Sequence, residues 1–171
     1  MNIKRSIAFM LLASFLLCVL FGCESGSGFA PEYPRVAIII KGSESDFWND
    51  VKKGAYSAAT EFNIDITFEG PENEEDYETQ NKMIENAVYR NVGAIILSAI
   101  DFEKNAPAVR KAAEKGIKII TVDSDVDVAE KELYIATDNY SAGQKTADVA
   151  QKLCGDKESI NIGIVNYGEN T

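Results

Sequence analysis

Histidine is absent from this sequence of 171 residues, and only three cysteines and four prolines occur in it. Without histidine, a serine–histidine–aspartate triad is excluded, and the usual catalytic base and commonest metal ligand are missing. Basic residues are also scarce: 17 lysines and arginines stand against 27 acidic residues, which gives a net charge of −10. Because nucleic acid requires a positively charged surface, this balance argues against DNA or RNA as a partner.

Long apolar runs are confined to the start of the chain. Two basic residues precede an apolar run at 6–21, which at roughly 16 residues is short for a membrane span and typical of a secretory signal. Cys18 lies in that run and Cys23 follows it, so Cys154 has no cysteine partner and no disulfide framework is expected. Residues 24–34 begin ESGSG, the composition of a flexible tether. A cleaved leader followed by a linker is therefore predicted.

Beyond the tether, short β-branched runs alternate with segments whose apolar residues recur at helical spacing. Strands are predicted at 35–40, 64–68, 93–97, 117–122, 133–137 and 160–165. Three consecutive strand–helix units imply an α/β fold, a doubly wound parallel sheet with helices on both faces. We expect 35–137 to form one ligand-binding lobe. Residues 138–171 would begin a second, incomplete lobe, because one strand–helix–strand unit cannot close a core.

Ligands bind outside the carboxyl ends of the strands in an open parallel sheet, so the residues that follow each strand are candidate contacts. These positions are rich in hydroxyls, carboxylates and aromatic rings, and they include Lys41, Ser45, Asp46, Phe47, Trp48, Ser98, Asp123 and Ser124. Sugars are recognised by such groups, because hydroxyls bond to polar side chains and the CH faces of a sugar stack on aromatic rings.

Several of these residues also have a purely structural interpretation. Phe47 is a possible core contact of the first helical turn, Ser45 or Asp46 a helix cap, and Asp123 a solvated turn residue. Trp48 follows Phe47 directly, so the two side chains should point about 100 degrees apart around a helix. At least one of the two rings is therefore expected to face a cleft.

No motif for catalysis, metal binding or phosphate binding accompanies these residues. The run DSDVD at 123–127 lacks the glycine and glutamate that a calcium loop requires at fixed places. KGSESD lacks the spacing of a phosphate-binding loop, and neither Ser45 nor Ser98 lies in a nucleophile elbow. We expect no enzymatic activity, no cofactor and no metal.

Five segments in order resemble the type I periplasmic solute-binding proteins of the ribose-binding kind. They are SDFWNDVKKGAYSAATEF, FEGPENEEDYETQNKMIENAV, VGAIILSAID, KAAEKGIKIITVDSDV and IATDNYSAGQKTADVAQKL. The resemblance implies two lobes that close over a small ligand, with Phe47 and Trp48 as a stacking wall and Ser98 and Asp123 as polar contacts. It also implies a ligand contact at Thr137 and a hinge where the chain first crosses between the lobes, at Thr137, Asp138 and Asn139.

Three departures from the family pattern concern the ligand. Lys41 stands where a small polar residue is usual, Ser45 stands where the family has an asparagine, and Ser124 stands where an arginine is common. These departures leave the particular sugar open, and the loss of the asparagine and the arginine together keeps a nucleoside or an autoinducer-type molecule as an alternative ligand.

The sequence LFGC at 20–23 resembles the lipobox of bacterial lipoproteins. This resemblance implies a signal peptide at 1–23 and acylation of Cys23, which would anchor the protein to the outer face of the cell membrane. The function implied by the family is delivery of a monosaccharide or polyol to an ABC importer. An alternative is a sensing lipoprotein whose membrane partner is a histidine kinase.

Overall fold

The computed structural model describes residues 34–42, 45–155 and 159–165. The predicted leader at 1–23, its lipidation site Cys23 and nearly all of the tether lie outside the described residues. Within the described ranges, no helix combines the length and the apolar character that crossing a bilayer requires.

Five parallel strands form one sheet. They are β1 (Arg35–Ile39), β2 (Asp65–Glu69), β3 (Ala94–Leu97), β4 (Lys118–Val122) and β5 (Lys131–Ile135). Their order in the sheet is β2-β1-β3-β4-β5, and every neighbouring pair is parallel. The register places Ile38 of β1 beside Phe68 of β2 and Ile96 of β3. The predicted doubly wound parallel α/β fold is confirmed.

In the described part of the chain, four helices accompany the sheet: α1 (Asp46–Phe62), α2 (Tyr77–Tyr89), α3 (Ala106–Glu114) and α4 (Asn139–Cys154). Ser45 caps α1 by accepting a hydrogen bond from the Trp48 N–H at 3.2 Å. Asn63 caps the carboxyl end of α1. Its backbone is left-handed, and its N–H donates to the Ala59 carbonyl. The capping interpretation of Ser45 is therefore the one that the structure supports.

The core lies on both faces of the sheet, as the α/β prediction requires. On one face, helices α2 and α3 pack against alternate strand residues, and Ile39, Ile84, Ile95 and Val109 are completely buried there. On the other face, α1 packs Trp48 against Ile38, with Ile40 in the same cluster. Because both faces are covered, the strands read as continuous apolar runs rather than alternating ones.

The connection between β4 and β5 explains the acidic run at 123–127. It returns along the sheet without a helix, and Val126 and Val128 of this connection are buried in the core. The Asp125 carboxylate joins its two ends by accepting from the Thr121 hydroxyl at 2.9 Å and the Lys131 ammonium at 2.8 Å. Asp125 therefore acts as a structural clamp on this connection.

The same contacts determine the ionisation of Asp125. Burial, the largest single influence, raises the pKa of Asp125. Hydrogen bonds from Lys131, from the Val126 N–H and from Thr121 outweigh that influence, so the pKa lies below its ordinary value. Asp125 therefore stabilises the fold as a carboxylate.

The predicted sixth strand, 160–165, is wrong. Residues 159–165 have no regular secondary structure, and Ile162, Ile164 and Val165 are mostly exposed. A strand needs a neighbour for its backbone hydrogen bonds, and no strand of the described chain pairs with this segment. Its β-branched apolar pattern is typical of a strand, but no strand among the described residues pairs with it.

Helix α4 contributes nothing to the core. It has no buried residue, and all buried hydrophobic residues of the described chain lie between Ala37 and Val128. This distribution is consistent with a lobe boundary near residue 137, which stays a prediction.

Candidate functional site

The carboxyl edge of the sheet brings together four of the predicted site residues. Lys41 follows β1, Ser98 follows β3, and Asp123 and Ser124 follow β4. The Lys41 Nζ lies 3.4 Å from the Asp123 Oδ2. The hydroxyls of Ser98 and Ser124 donate to the same oxygen at 3.4 and 3.3 Å. We call these four residues the Asp123 cluster.

The Asp123 cluster leaves one carboxylate oxygen available. The two hydroxyl donors and the Lys41 ammonium, an ion-pair partner, all converge on Oδ2, and Oδ1 has no hydrogen-bond partner among residues that the structure describes. The Asp123 side chain is 46% exposed, whereas Lys41 is 23% exposed and Ser98 is completely buried. The arrangement therefore holds Asp123 through Oδ2 and leaves Oδ1 of this half-exposed carboxylate available as an acceptor.

The backbone of Asp123 is itself held in an uncommon conformation, with φ of +61°. Its N–H donates to the Ile135 carbonyl at 2.9 Å, and the Tyr134 hydroxyl donates to its carbonyl at 3.2 Å. A left-handed backbone is costly for residues other than glycine, although aspartate and asparagine tolerate it better than most. Such conformations persist where the surrounding structure holds them, and they concentrate at functional sites.

The two adjacent aromatic residues have different surroundings. Trp48 is 4% exposed, and its ring belongs to the core cluster on the α1 face. Phe47 is 59% exposed, and its ring meets Trp48 edge to face with centroids 4.9 Å apart and planes at 74°. The sequence predicted that at least one ring faces a cleft, and Phe47 is the exposed ring of the two. Trp48 serves mainly as a packing residue that supports Phe47.

A groove of about 530 Å³ lies between α1 and the sheet. Phe47, Trp48, Asp123 and Thr137 line it together with apolar side chains of α1, β1, β3, β4 and β5, and Asp123 is the one member of the Asp123 cluster among its lining residues. Mostly apolar walls with a few oriented polar groups are typical of small-molecule sites. The geometry can hold a ligand with an apolar face against Phe47 and a hydroxyl against Asp123.

The other predicted residues are placed elsewhere. Asp46 is exposed in the first turn of α1 and lines a separate surface hollow with Asp50 and Lys53. Asp138 caps α4 by accepting from the Ser141 N–H at 3.0 Å, and Asn139 is the first residue of that helix. The proposed hinge at Thr137, Asp138 and Asn139 is not tested by this arrangement and stays a prediction.

Metal binding has no candidate in the described part of the chain. No group of three or more cysteine, aspartate or glutamate side chains there is arranged to hold an ion.

Gln80 and Tyr134 are residues of this edge that sequence reasoning missed. Gln80 lies in α2 and is completely buried, and its side chain bonds to the main chain beside Lys41 and at Ser98. A sequence signal was present, because Gln80 lies four residues before Ile84 and Ile84 lies three residues before Ala87, so the three side chains share the apolar face of the helix. A polar residue in an apolar stripe requires a buried partner.

Comparison with known proteins gives a consistent result. A family model described as periplasmic binding protein domain matches residues 36–171. The D-ribose/D-allose-binding protein of Pseudomonas aeruginosa is 26% identical over 144 residues, which are 78% of this chain and 45% of that protein. The chain thus spans about half the length of the curated relatives it matches.

Solved structures show the same fold. A sugar transporter from Clostridium phytofermentans is 38% identical with a TM-score of 0.67, over 71% of this chain and 45% of that one. A solute-binding protein from Agrobacterium vitis with bound D-fucose is also 38% identical, with a TM-score of 0.64 over 67% and 41%. A chain of the XylFII–LytSN complex is 31% identical, with a TM-score of 0.66 over 73% and 45%.

The family match, the parallel sheet and the polar groups at its carboxyl edge lead to one conclusion: this chain belongs to the periplasmic binding protein family.

Proposed function

We propose that the chain is the ligand-binding part of an extracytoplasmic receptor that delivers a monosaccharide or similar polyol to an ABC importer. The observation that carries the proposal is the Asp123 cluster, in which two hydroxyl donors and one ion pair hold a carboxylate that lines a largely apolar groove. The names of relatives, among them the D-ribose/D-allose-binding protein and the complex with D-fucose, support a sugar ligand.

Each side chain of the site has a role in this proposal. Asp123 Oδ1 accepts a hydrogen bond from a ligand hydroxyl, while Lys41 offers its remaining N–H groups to a neighbouring hydroxyl oxygen. The exposed ring of Phe47 stacks on the CH face of the sugar. Thr137 supplies a further hydroxyl at the groove. The site acts by binding, and no step of catalysis is assigned to it.

The charge of the site favours a neutral ligand. Lys41 and Asp123 form an ion pair at 3.4 Å, so the negative charge of Asp123 at the groove is compensated. The chain carries a net charge of −10, which repels anions at long range. Sugars and polyols fit this balance better than sugar phosphates or acidic sugars.

A lipid anchor at Cys23 completes the proposed placement at the outer face of the membrane. The support is the LFGC sequence at 20–23. Its cysteine, Cys23, is the residue that an experiment can replace. Metabolic labelling with a palmitate analogue should label the full-length gene product and should not label its Cys23→Ser variant. Equal labelling of both would remove the anchor from the account.

A second candidate function is ligand sensing through a membrane histidine kinase. The similarity to a chain of the XylFII–LytSN complex favours it, since that protein was solved bound to a second protein. The ligand chemistry would be unchanged and only the partner would differ. Crosslinking of the full-length protein in membranes, with and without sugar, should capture a permease under the first function and a kinase under the second.

Thermal denaturation with a panel of sugars tests the ligand class. The full-length gene product without residues 1–23 is heated with D-ribose, D-allose, D-xylose, D-fucose, xylitol or a nucleoside. A ligand at a hundred times its dissociation constant should stabilise the protein by about 2.7 kcal/mol. Stabilisation by a monosaccharide or polyol supports the proposal. A shift with nucleosides alone, or no shift at all, contradicts it.

A further inference from the structure

The side chain of Gln80 spans the ends of two strands. Gln80 lies in α2 and is completely buried. Its Nε2 donates to the Ile40 carbonyl at 3.0 Å and to the Ser98 carbonyl at 2.9 Å. Its Oε1 accepts from the Ile100 N–H at 2.9 Å. The amide therefore donates one hydrogen bond to the residue that follows β1 and one to the residue that follows β3.

These bonds continue the sheet where the ladder between β1 and β3 ends. The last backbone bond of that ladder runs from the Ser98 N–H to the Ile39 carbonyl at 2.9 Å. Beyond it, the carbonyls of Ile40 and Ser98 both accept from the Gln80 amide. Lys41 is the residue next to Ile40, so one amide sets the spacing of two members of the Asp123 cluster.

We propose that Gln80 is a positioning residue of the sugar site, an inference that rests on the proposed function. Gln80 touches no ligand in this arrangement. It holds the main chain at Lys41 and Ser98 so that both side chains reach Asp123 Oδ2, at 3.4 Å in each case. Removal of the amide frees the strand ends, so Lys41 and Ser98 no longer hold Asp123 in place and Ser124 alone remains beside Oδ2.

A buried amide also stabilises the fold, so the test needs a control that separates stability from positioning. Asn105 provides it, because its amide is completely buried too. Asn105 bonds to the Asn81 Oδ1 at 2.8 Å and to the Asp101 N–H at 2.9 Å. Neither bond involves a member of the Asp123 cluster, so Asn105 serves as the matched site.

The experiment compares Gln80→Met with Asn105→Leu in the full-length gene product without residues 1–23. D-ribose and D-allose are the probes, and affinity is measured by calorimetry at a temperature where circular dichroism shows every variant folded. Both variants should lower the melting temperature. Only Gln80→Met should weaken binding of the sugar that binds wild type, by about tenfold or more.

A double-mutant cycle adds a readout that a purely structural role would not move. Lys41→Met should cost much less affinity in the Gln80→Met background than in wild type, because the lysine is already misplaced there. In the Asn105→Leu background, Lys41→Met should cost the same as in wild type. Additive losses in both backgrounds overturn the proposal.

Gln80→Glu keeps the inference testable if Gln80→Met does not fold. Its carboxylate retains an acceptor for the Ile100 N–H but lacks both donors for the strand ends, so it should weaken sugar binding as well. Wild-type affinity in a folded Gln80 variant overturns the positioning role alone. Failure of the wild-type protein to bind any sugar overturns the proposed function itself.

Discussion

Replacement of Asp123 by asparagine is the sharpest perturbation of the site. The choice of asparagine follows from the backbone, since Asp123 has a φ of +61°. Asparagine tolerates this left-handed conformation, whereas alanine would add backbone strain to the loss of the carboxylate. Asp123→Asn therefore changes the charge and one acceptor with little change in shape.

The expected effect on binding is large and the effect on stability is small. A hydrogen bond from a sugar hydroxyl to a carboxylate contributes about 1.5–3 kcal/mol, so its loss should raise the dissociation constant roughly 10- to 150-fold. The contacts on Oδ2 are long, at 3.3–3.4 Å, and the side chain is 46% exposed. The free energy of unfolding should therefore fall by less than about 1 kcal/mol.

Isothermal titration calorimetry with the sugar found in the thermal panel measures the first quantity, and urea denaturation measures the second. Asp50→Asn is the control, because it makes the same chemical change at a carboxylate that is 77% exposed and lies outside the groove. The control should bind with wild-type affinity. If Asp123→Asn binds within about twofold of wild type, the reasoning that places Asp123 at the centre of the site is refuted.

Two further predictions concern stability. Ile84→Ala should lower the free energy of unfolding by about 2–5 kcal/mol, because Ile84 is completely buried in the larger core cluster; urea denaturation measures this, and a loss below 1 kcal/mol would contradict the packing. Asp125→Asn should be less stable than wild type at neutral pH, and the difference in stability between the two proteins should become smaller as pH falls. A carboxylate whose folded pKa is lowered stabilises the fold above about pH 4 and loses that contribution as pH falls through the folded pKa. Melting temperatures from pH 7 to pH 2.5 check it, and a gap that stays constant would count against the Asp125 clamp.

The elements of the fold were predictable wherever local pattern and tertiary environment agree. The first five strands were placed within two residues of their observed bounds, because β-branched runs between helical segments describe a sheet buried on both faces. The segment 160–165 has the same pattern and is not a strand. A β-branched apolar pattern indicates that a segment is able to form a strand. Whether it does so depends on a neighbouring strand that is distant in the sequence.

The site was predictable in its position and only partly in its details. Parallel strands end at one edge, so residues that follow β1, β3 and β4 had to lie near each other, as Lys41, Ser98 and Asp123 do. The helical angle between Phe47 and Trp48 correctly separated their directions. Gln80 was missed because its partners are main-chain atoms of two other elements, and spacing along the sequence does not identify such partners.

A crystal structure of the full-length protein with the panel sugar bound would test the central claim most directly. The account predicts a sugar hydroxyl within hydrogen-bond distance of Asp123 Oδ1, with the ring of Phe47 against the CH face of the sugar. A sugar bound elsewhere, with Asp123 and Phe47 free of contact, would contradict it.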